Sequence, residues 1–436
     1  MFQPKLVIFD MDGLMFDTER IGGKCHRQAA KEMGYTIPIE LSQRLIGGNK
    51  ERNTRLLKEV LGQDYPANEV AKLSKQYREA YFDEHGLDIK PGLIELIKTL
   101  KHKNIFMAVA SSSSREVIDH YLKLSSLEGC FDYIISGDKI KKSKPEPDIF
   151  LHACDHFHID PQETLVLEDS RNGVLAGHHG HIPVICVPDT IYHDRDIFEL
   201  TEAMVPSLHE VTSLIQGISI DLALFDMDGL MFDTERMCIE PLIQAHHEYG
   251  YKMTHELCYQ LIGTAGVIAQ EILSLDFGED YPFKQVMQRS EELLLERIEQ
   301  EGLPIKKGLV ELLDHLKACH IPCVIASSSK VETIKHYLEV SKLDHYFNDI
   351  IGGDLVEKAK PEPDLFLKAC DIMQVKPSKA LVFEDSKNGI LAAKEAKIPV
   401  VCVPDLLMHD QEVLNNTLAF IPDLSHIIRY IEEEKV

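Results

Sequence analysis

Residues Phe9–Arg20 read FDMDGLMFDTER, and residues Phe225–Arg236 repeat the same letters. The two copies are offset by 216 residues, and later landmarks keep that offset. It relates Ser111 to Ser327, Lys144 to Lys360, and Glu168-Asp169-Ser170 to Glu384-Asp385-Ser386. Separated landmarks at one offset indicate the duplication of a large unit, unlike the many short repeats of a solenoid. The sequence therefore predicts two tandem domains, 1–217 and 218–436.

Within the first copy, apolar runs of strand length alternate with helical patterns. The predicted strands are Lys5–Asp10, Ile105–Ser111, Phe131–Ser136, Thr164–Glu168 and Ile182–Val187. The predicted helices are Pro91–Lys103, Arg115–Leu124, Pro147–His156 and Asn172–His179. Continuously apolar strands suit a parallel sheet that is covered on both faces. The alternation of strand and helix predicts an α/β fold with a doubly wound parallel sheet in each copy.

One stretch of each copy departs from this alternation. From about Glu19 to Leu87 the patterns are only helical, as in Ser42–Leu61 and Asn68–Phe82. An all-helical insert directly after the first strand predicts a cap over the strand ends. We expect these caps at about 19–88 and, in the second copy, at about 235–304.

Composition narrows the class of protein. The chain has 436 residues, with 46 Lys+Arg against 71 Asp+Glu and a net charge of -25, which argues against nucleic-acid binding through net charge. No apolar run approaches the roughly 18 residues of a membrane span, and the N-terminus lacks a signal-peptide layout. The 10 cysteines form no CxxC pair, which favours reduced thiols. We expect a cytoplasmic protein without a membrane or nucleic-acid partner.

Polar side chains gather where the predicted strands end. In an open parallel sheet, ligands bind outside the carboxyl ends of the strands. The residues placed there in the first copy are Asp10, Asp12, Ser111, Ser112, Lys144, Glu168 and Asp169. Several converging carboxylates need a cation, and Mg²⁺ suits ligands that are all oxygen. A carboxylate held ionised can act as a nucleophile, a second can transfer protons, and serine hydroxyls and a lysine can hold phosphate.

Each motif has a simpler explanation when it stands alone. DxDG can be a turn, the serine run a loop, KPEP a helix start and EDS a helix cap. A calcium loop of the EF-hand type is excluded, because it needs glycine at its sixth position and Gly13 is fourth from Asp10. The four motifs nevertheless occur in order, twice, at predicted strand ends. Together they predict one site in each copy.

This ordered set resembles the haloacid-dehalogenase-type (HAD) phosphohydrolases with a helical cap, in the branch of β-phosphoglucomutase-like proteins and of sugar-phosphate or pseudouridine-5′-phosphatases. The resemblance covers both copies. It implies Mg²⁺-dependent hydrolysis of small phosphorylated metabolites, such as sugar phosphates or nucleotide-like monophosphates, through an aspartyl-phosphate intermediate. The implied nucleophiles are Asp10 and Asp226, and the implied general acid/bases are Asp12 and Asp228.

The resemblance also implies ligands for phosphate and metal. Lys144 and Lys360 would neutralise the phosphate. The implied phosphate-binding serines are Ser111 and, in the second copy, Ser327, and we expect the neighbouring Ser112 and Ser328 to bind substrate as well. The implied Mg²⁺ ligands are Asp10, Asp12, Glu168 and Asp169, with Asp226, Asp228, Glu384 and Asp385 in the second copy. The resemblance implies that Asp12 and Asp228 bind through their backbone carbonyls, and Glu168 and Glu384 directly or through water.

Two alternatives remain open at this point. Related mutases carry a histidine ten residues after the general acid/base, where this chain has Gly22 and Cys238, so hydrolysis is favoured over a phosphosugar mutase. One half could instead be a non-catalytic binding or dimerisation module. The loss of a nucleophile would mark such a half, and both Asp10 and Asp226 are present.

The caps differ more than the cores. From Arg20 to Asp88 the first cap has 12 Lys+Arg and 10 Asp+Glu, whereas Arg236 to Pro304 has 5 and 12. One turn reads GGNKER at 47–52 and GTAGVI at 263–268. We expect Lys50 to bind substrate and the first half to prefer more anionic phosphoesters. The alternative is that these charges are solvated surface.

Overall fold

The computed structural model describes residues 3–45, 50–189, 194–261 and 266–432. Contacts between Cα atoms divide the chain into two compact units, Met1–Gly217 and Ile218–Val436. Each unit is built from alternating strands and helices, with a helical insert after its first strand.

All strand pairs of the first unit are parallel, in the order β3-β2-β1-β4-β5-β6. These strands are β1 Leu6–Phe9, β2 Phe106–Ser111, β3 Tyr133–Ser136, β4 Thr164–Glu168, β5 Val184–Cys186 and β6 Ala203–Met204. Every residue of β1 and β4 is buried, as the continuously apolar runs predict. The register pairs Phe9 with Val109 on one side and with Leu167 on the other, so the strands end at a common edge.

The helices of the first unit connect these strands and form the insert. They are α1 Thr18–Glu32, α2 Ile39–Leu45, α3 Lys50–Leu61, α4 Ala67–His85, α5 Leu93–His102, α6 Arg115–Leu124, α7 Asp148–Phe157, α8 Arg171–His179, α9 Arg195–Phe198 and α10 Leu208–Gln216. Helix α7 packs against β1, β2 and β3, while α8 packs against β4 and β5.

The second unit repeats this plan. Its strands, in the order β9-β8-β7-β10-β11-β12, are β7 Leu222–Phe225, β8 Cys323–Ala326, β9 Asp349–Ile351, β10 Ala380–Glu384, β11 Val400–Cys402 and β12 Ala419–Phe420. Its helices are α11 Thr234–Met237, α12 Ile239–Glu248, α13 His255–Leu261, α14 Gly266–Phe277, α15 Phe283–Glu301, α16 Leu309–Ala318, α17 Val331–Ser341, α18 Asp364–Met373, α19 Lys387–Glu395, α20 Gln411–Leu414 and α21 Ser425–Ile428. The predicted α/β fold with a helical cap in each copy is confirmed.

The insert of the first unit consists of α1 to α4, and α1 packs along α4. It has an apolar core of its own, which includes Ala29, Leu57, Tyr65 and Val70. Burying a side chain such as Leu57 or Val70 contributes about 1.5–3 kcal/mol, so the insert has its own source of stability. The chain enters the insert after β1 and leaves it before α5.

No helix in the described ranges is both long and apolar enough to cross a membrane. All 10 cysteines are free thiols in this structure.

Candidate active site

The predicted site residues of the first unit meet at the carboxyl edge of its sheet. Asp10 follows β1, Ser111 ends β2 and Glu168 ends β4. Because β1 lies between β2 and β4 in aligned register, these three residues become neighbours. Lys144 approaches from the loop before α7.

Lys144 joins two carboxylates that come from different strands. Its ammonium donates hydrogen bonds to Asp10 Oδ1 and to Glu168 Oε1, the latter at 2.5 Å. A third bond, of 3.3 Å, goes to the carbonyl oxygen of Ala110. All three charged side chains are buried. The Lys144 ammonium also lies 4.8 Å from the ring centroid of Phe150, on the first turn of α7. The lysine is therefore fixed from several sides.

The second unit reproduces this arrangement. Lys360 donates to Asp226 Oδ1 and, at 2.6 Å, to Glu384 Oε1. Its ammonium lies 5.0 Å from the ring centroid of Phe366. The duplicated motifs therefore build duplicated geometry.

Glu168 is held in place by the start of α8. Its Oε2 accepts hydrogen bonds from the backbone N–H groups of Asp169 and Ser170, both at 3.1 Å, and from Ser170 Oγ at 2.9 Å. Ser170 Oγ in turn accepts from Gly173 N, which caps the helix. A Cβ at Gly173 would lie 1.8 Å from Glu168 Cδ, so only glycine fits there. The EDSxxG pattern is thus both a helix cap and the support of an acidic group.

Asp12 is oriented by the serine run after β2. Its Oδ2 accepts hydrogen bonds from Ser113 Oγ at 2.9 Å and from Ser111 Oγ at 3.5 Å. Ser111 Oγ also accepts from Ser113 N at 3.0 Å. In the second unit, Ser329 Oγ donates to Asp228 Oδ2 at 2.8 Å. The third serine of each run thus contacts the predicted general acid/base.

The other predicted substrate-binding residues are placed differently. Ser111 and Ser327 are buried, whereas Ser112 and Ser328 are exposed. No described hydrogen bond joins the hydroxyl of Ser112 or Ser328 to the carboxylates. Lys50 begins α3, but its side chain lies outside the described part of the structure, as do residues 46–49 and 262–265 of the compared turns.

Three carboxylates lie close together in each unit. One oxygen from each of Asp10, Glu168 and Asp169 lies within 4.8 Å of the others, and Asp226, Glu384 and Asp385 form the matching group. Asp12 and Asp228 are not part of these side-chain groups. The described residues also place Glu19, Asp169 and Asp189 in a second acidic group beside the first.

Burial and mutual repulsion shift the pKa values of these groups. Burial raises the pKa of Asp10 to about 8, with Lys144 acting in the opposite direction and Glu168 adding to the rise. Burial likewise raises the pKa of Asp226 to about 7. Burial and the neighbouring Glu168 raise the pKa of Asp169 well above its usual range. Buried carboxylates of this kind take up either a proton or a cation.

The donor set fits a small divalent cation. Its ligand atoms are all carboxylate oxygens, which Mg²⁺ and Ca²⁺ prefer. Gly13, at φ +86°, lets the backbone approach this group, since a Cβ there would lie 2.1 Å from Asp169 Oδ2. Gly229 has the same position in the second unit, where a Cβ would lie 2.2 Å from Asp385 Oδ2.

An ion pair beside the site was not predicted from the sequence. Lys90, just before α5, pairs with Asp189, which follows β5 in the segment Val187-Pro188-Asp189. Lys306 and Asp405 make the equivalent pair at 2.5 Å, and Arg236 contacts Asp405 at 2.9 Å. The repeat offset contained a signal for this pair, because both partners recur 216 residues later.

Comparisons with known proteins agree with this geometry. The profile of the haloacid dehalogenase-like hydrolases matches residues 7–187 and 223–403. Phosphoglycolate phosphatase of Nitrosospira multiformis is 32% identical over 223 residues, which cover 49% of this chain and 97% of that protein. Phosphorylated carbohydrates phosphatase of Thermotoga maritima is 32% identical over 171 residues, which cover 39% of this chain and 78% of that protein. The protein named probable pseudouridine-5′-phosphatase of Drosophila melanogaster is 30% identical over 191 residues, which cover 42% of this chain and 80% of that protein.

The family profile covers both copies of the repeat, including the strands that end in Asp10 and Asp226. The resemblance inferred from the four motifs is confirmed, and phosphatases are among the relatives. This chain belongs to the haloacid dehalogenase-like hydrolase family, whose profile matches once in each half.

Proposed function

We propose that each unit is a Mg²⁺-dependent phosphomonoester hydrolase that acts on small phosphorylated metabolites through an aspartyl-phosphate. The observation that carries this proposal is the lysine that joins two buried carboxylates, beside a third, in both units. The relatives named as phosphatases support the same reaction class.

Asp10, Glu168 and Asp169 would hold the cation in the first unit, and Asp226, Glu384 and Asp385 in the second. When bound, Mg²⁺ supplies positive charge that keeps these carboxylates ionised and polarises the phosphoryl group. Lys144 supplies a second positive charge. Burial alone would lower the pKa of Lys144, but Asp10 and Glu168 outweigh burial and raise it, so the ammonium persists at neutral pH.

In the first step an oxygen of Asp10 attacks phosphorus, and the bond between phosphorus and the ester oxygen breaks. Asp12 donates its proton to the departing oxygen, which leaves as an alcohol. Ser113 orients Asp12 for this transfer through its 2.9 Å hydrogen bond. Ser111 would supply a hydrogen-bond donor, and Lys144 positive charge, to the phosphoryl oxygens.

In the second step water attacks the phosphorus of the aspartyl-phosphate, and Asp12, now ionised, takes a proton from that water. The bond between phosphorus and the Asp10 oxygen breaks, inorganic phosphate leaves, and both aspartates return to their starting states. One residue thus acts first as acid and then as base, which requires a carboxyl group beside the nucleophile.

Hydrolysis is favoured over phosphosugar transfer by the residue at position 22. Gly22 lines the same cavity as Asp12 and brings no side chain into it. Cys238 occupies this position in the second unit. A mutase would keep the phosphoryl group on the sugar, whereas a hydrolase releases inorganic phosphate.

The test is a rapid acid quench of the full chain during turnover of a hexose monophosphate panel with Mg²⁺, followed by peptide mass spectrometry. We expect a phosphoryl group on the peptides that carry Asp10 and Asp226, together with released phosphate, and neither after chelation with EDTA. Turnover that persists without metal, or phosphate found on other residues, would contradict the proposal. Sugar bisphosphate without released phosphate would indicate a mutase.

A further inference from the structure

A cavity of about 310 Å³ lies beside Asp12 in the first unit, between the site and the cap. Asp12 lines it from the site, and Glu19, His26, Asn53 and Arg78 line it from the cap. Because Asp12 would protonate the leaving oxygen, this cavity is where the rest of the substrate has room. Its charges therefore bear on which leaving group the unit accepts.

Arg78 brings a positive charge into this cavity. It lies on α4, which packs along α1, and its guanidinium extends over Gly22. A Cβ at Gly22 would lie 3.8 Å from Arg78 Nη1, which is van der Waals contact, so the guanidinium lies directly beside this glycine. Arg78 Nε is buried without a hydrogen-bond partner, and no carboxylate of the described residues forms an ion pair with Arg78.

The second unit lacks this arrangement. At the offset of 216, Arg78 corresponds to Leu294 and Gly22 to Cys238. Two other polar residues of the cavity, His26 and Asn53, are replaced as well. Their counterparts are Leu242 and Ala269. The site carboxylates and lysine are the same in both units, so the difference is confined to the cap.

A buried donor without a partner is costly, and arginine is well suited to carboxylate and phosphate because its planar donors match two oxygens at once. We infer that Arg78 binds an anionic group, a carboxylate or a second phosphate, on the leaving-group side of the first unit's substrate, and that the second unit accepts uncharged leaving groups. This inference rests on the proposed phosphatase function and identifies the substrate class of each site.

The test uses the full chain with Asp226→Asn, so that only the first unit turns over. One pair of substrates is para-carboxyphenyl phosphate and its neutral para-carbamoyl counterpart. The other pair is a hexose bisphosphate and the matching monophosphate. Arg78→Gln should lower the ratio of kcat/KM between charged and neutral substrate by about 10- to 100-fold in one pair, which shows whether the group is a carboxylate or a phosphate. Arg78→Lys should recover part of that ratio.

Lys72→Gln is the matched control, because it removes the same charge from an exposed position of the same helix. It should leave both ratios as they are in the parent. Ratios that do not change in Arg78→Gln would overturn the inference. A parent that releases no phosphate from any of the four substrates would overturn the proposed function, and the inference with it.

A second variant keeps the test independent of the stability of Arg78→Gln. In the full chain with Asp10→Asn, only the second unit turns over. Replacing Cys238→Gly and Leu294→Arg together builds the glycine and arginine pair into its cap. The charged-to-neutral ratio should then rise in the pair that responded in the first unit, and a ratio that stays flat would overturn the inference.

Discussion

At the scale of the residue, Lys144 holds Asp10 and Glu168 together in a place from which water is largely excluded. Lys144→Ala leaves two buried carboxylates without their partner, and removing one member of a buried ion pair costs about 3–5 kcal/mol of stability. In the Asp226→Asn chain, phosphate release should fall by a factor of about 10²–10³, the scale of one lost transition-state contact.

Lys142→Ala is the control for this prediction. Lys142 lies two residues away, is exposed, and pairs with Glu146 at 3.7 Å. Exposed pairs contribute about 0–1 kcal/mol, so this variant should keep both its stability and its rate. Denaturant unfolding and phosphate release measure the two effects. A near-normal rate in Lys144→Ala would mean that the lysine stabilises the fold without contributing to the reaction.

Gly13 gives a second prediction at this scale, with Gly34 as its matched control. Both have φ +86°, but a Cβ at Gly13 would collide with Asp169 Oδ2, while nothing lies within 4 Å of one at Gly34. Gly34→Ala should therefore show only the backbone cost of about 1–2 kcal/mol. Gly13→Ala should also displace Asp169 and weaken Mg²⁺ binding, which calorimetry of the full chain can measure. Equal Mg²⁺ affinities in the two variants would contradict this account.

Most site residues could be predicted because each stands at the end of a buried apolar strand, where position along the chain fixes position in space. The serine run shows where this reasoning stops. Ser112 was the predicted partner of Ser111, but Ser113 contacts Asp12 and Ser112 is exposed. Ser113 N turns back to Ser111 Oγ, and a run of identical residues carries no signal for that turn.

At the scale of the element, the second cap contains a buried histidine that should make it sensitive to pH. His246 on α12 is fully buried. Its Nδ1 donates to the Leu242 carbonyl oxygen at 2.7 Å, and its Nε2 accepts from the Tyr281 hydroxyl at 2.6 Å. Burial lowers the pKa of His246, although the bond to the carbonyl opposes that shift. The bond from Tyr281 requires the neutral ring, because a protonated Nε2 cannot accept a hydrogen bond, whereas Nδ1 can donate to the Leu242 carbonyl oxygen in either protonation state.

The sign of the pH effect follows from this lowered pKa. Unfolded histidine takes up a proton near pH ~6.5, whereas the folded cap does so only at lower pH. The stability that neutral His246 gives is therefore fully present above the pKa of the unfolded histidine, ~6.5, and it is lost as the pH falls from there through the lower pKa of the folded cap. Hydrogen exchange of α12, corrected for its intrinsic rate, should show less protection at acidic pH. His246→Gln should remove this dependence, and the exposed neighbour variant His247→Gln should keep it.

The bounds of a helix with a clear repeat of apolar residues were predicted well, whereas some short elements were missed. Arg115–Leu124 was predicted with the bounds that α6 has. The two-residue strand Ala203–Met204 and the helix Leu208–Gln216 were missed, the strand because two residues show no alternation. The role of Arg78 was also beyond prediction, since a helical pattern marks position 78 as polar but does not show that α1 presents a glycine opposite it.

At the scale of the whole molecule, the described residues place one group of three carboxylates in each unit, Asp10, Glu168 and Asp169 in the first and Asp226, Glu384 and Asp385 in the second. We therefore propose two independent active sites. Asp10→Asn should abolish turnover by the first unit and leave that of the second, and Asp226→Asn should do the reverse. For any substrate, the rates of these two full-length variants should add up to that of the parent, and the double variant should release no phosphate.

The measurement is phosphate release by the parent, both single variants and the double variant across one panel of phosphomonoesters with Mg²⁺. Because the caps carry opposite charge balances and different cavity residues, the two single variants should also rank the panel differently. If either single substitution silenced the whole chain, the sites would be coupled rather than independent. If one single variant matched the parent on every substrate, the half it disables would be a non-catalytic module, and the duplication would have kept a site without keeping its reaction.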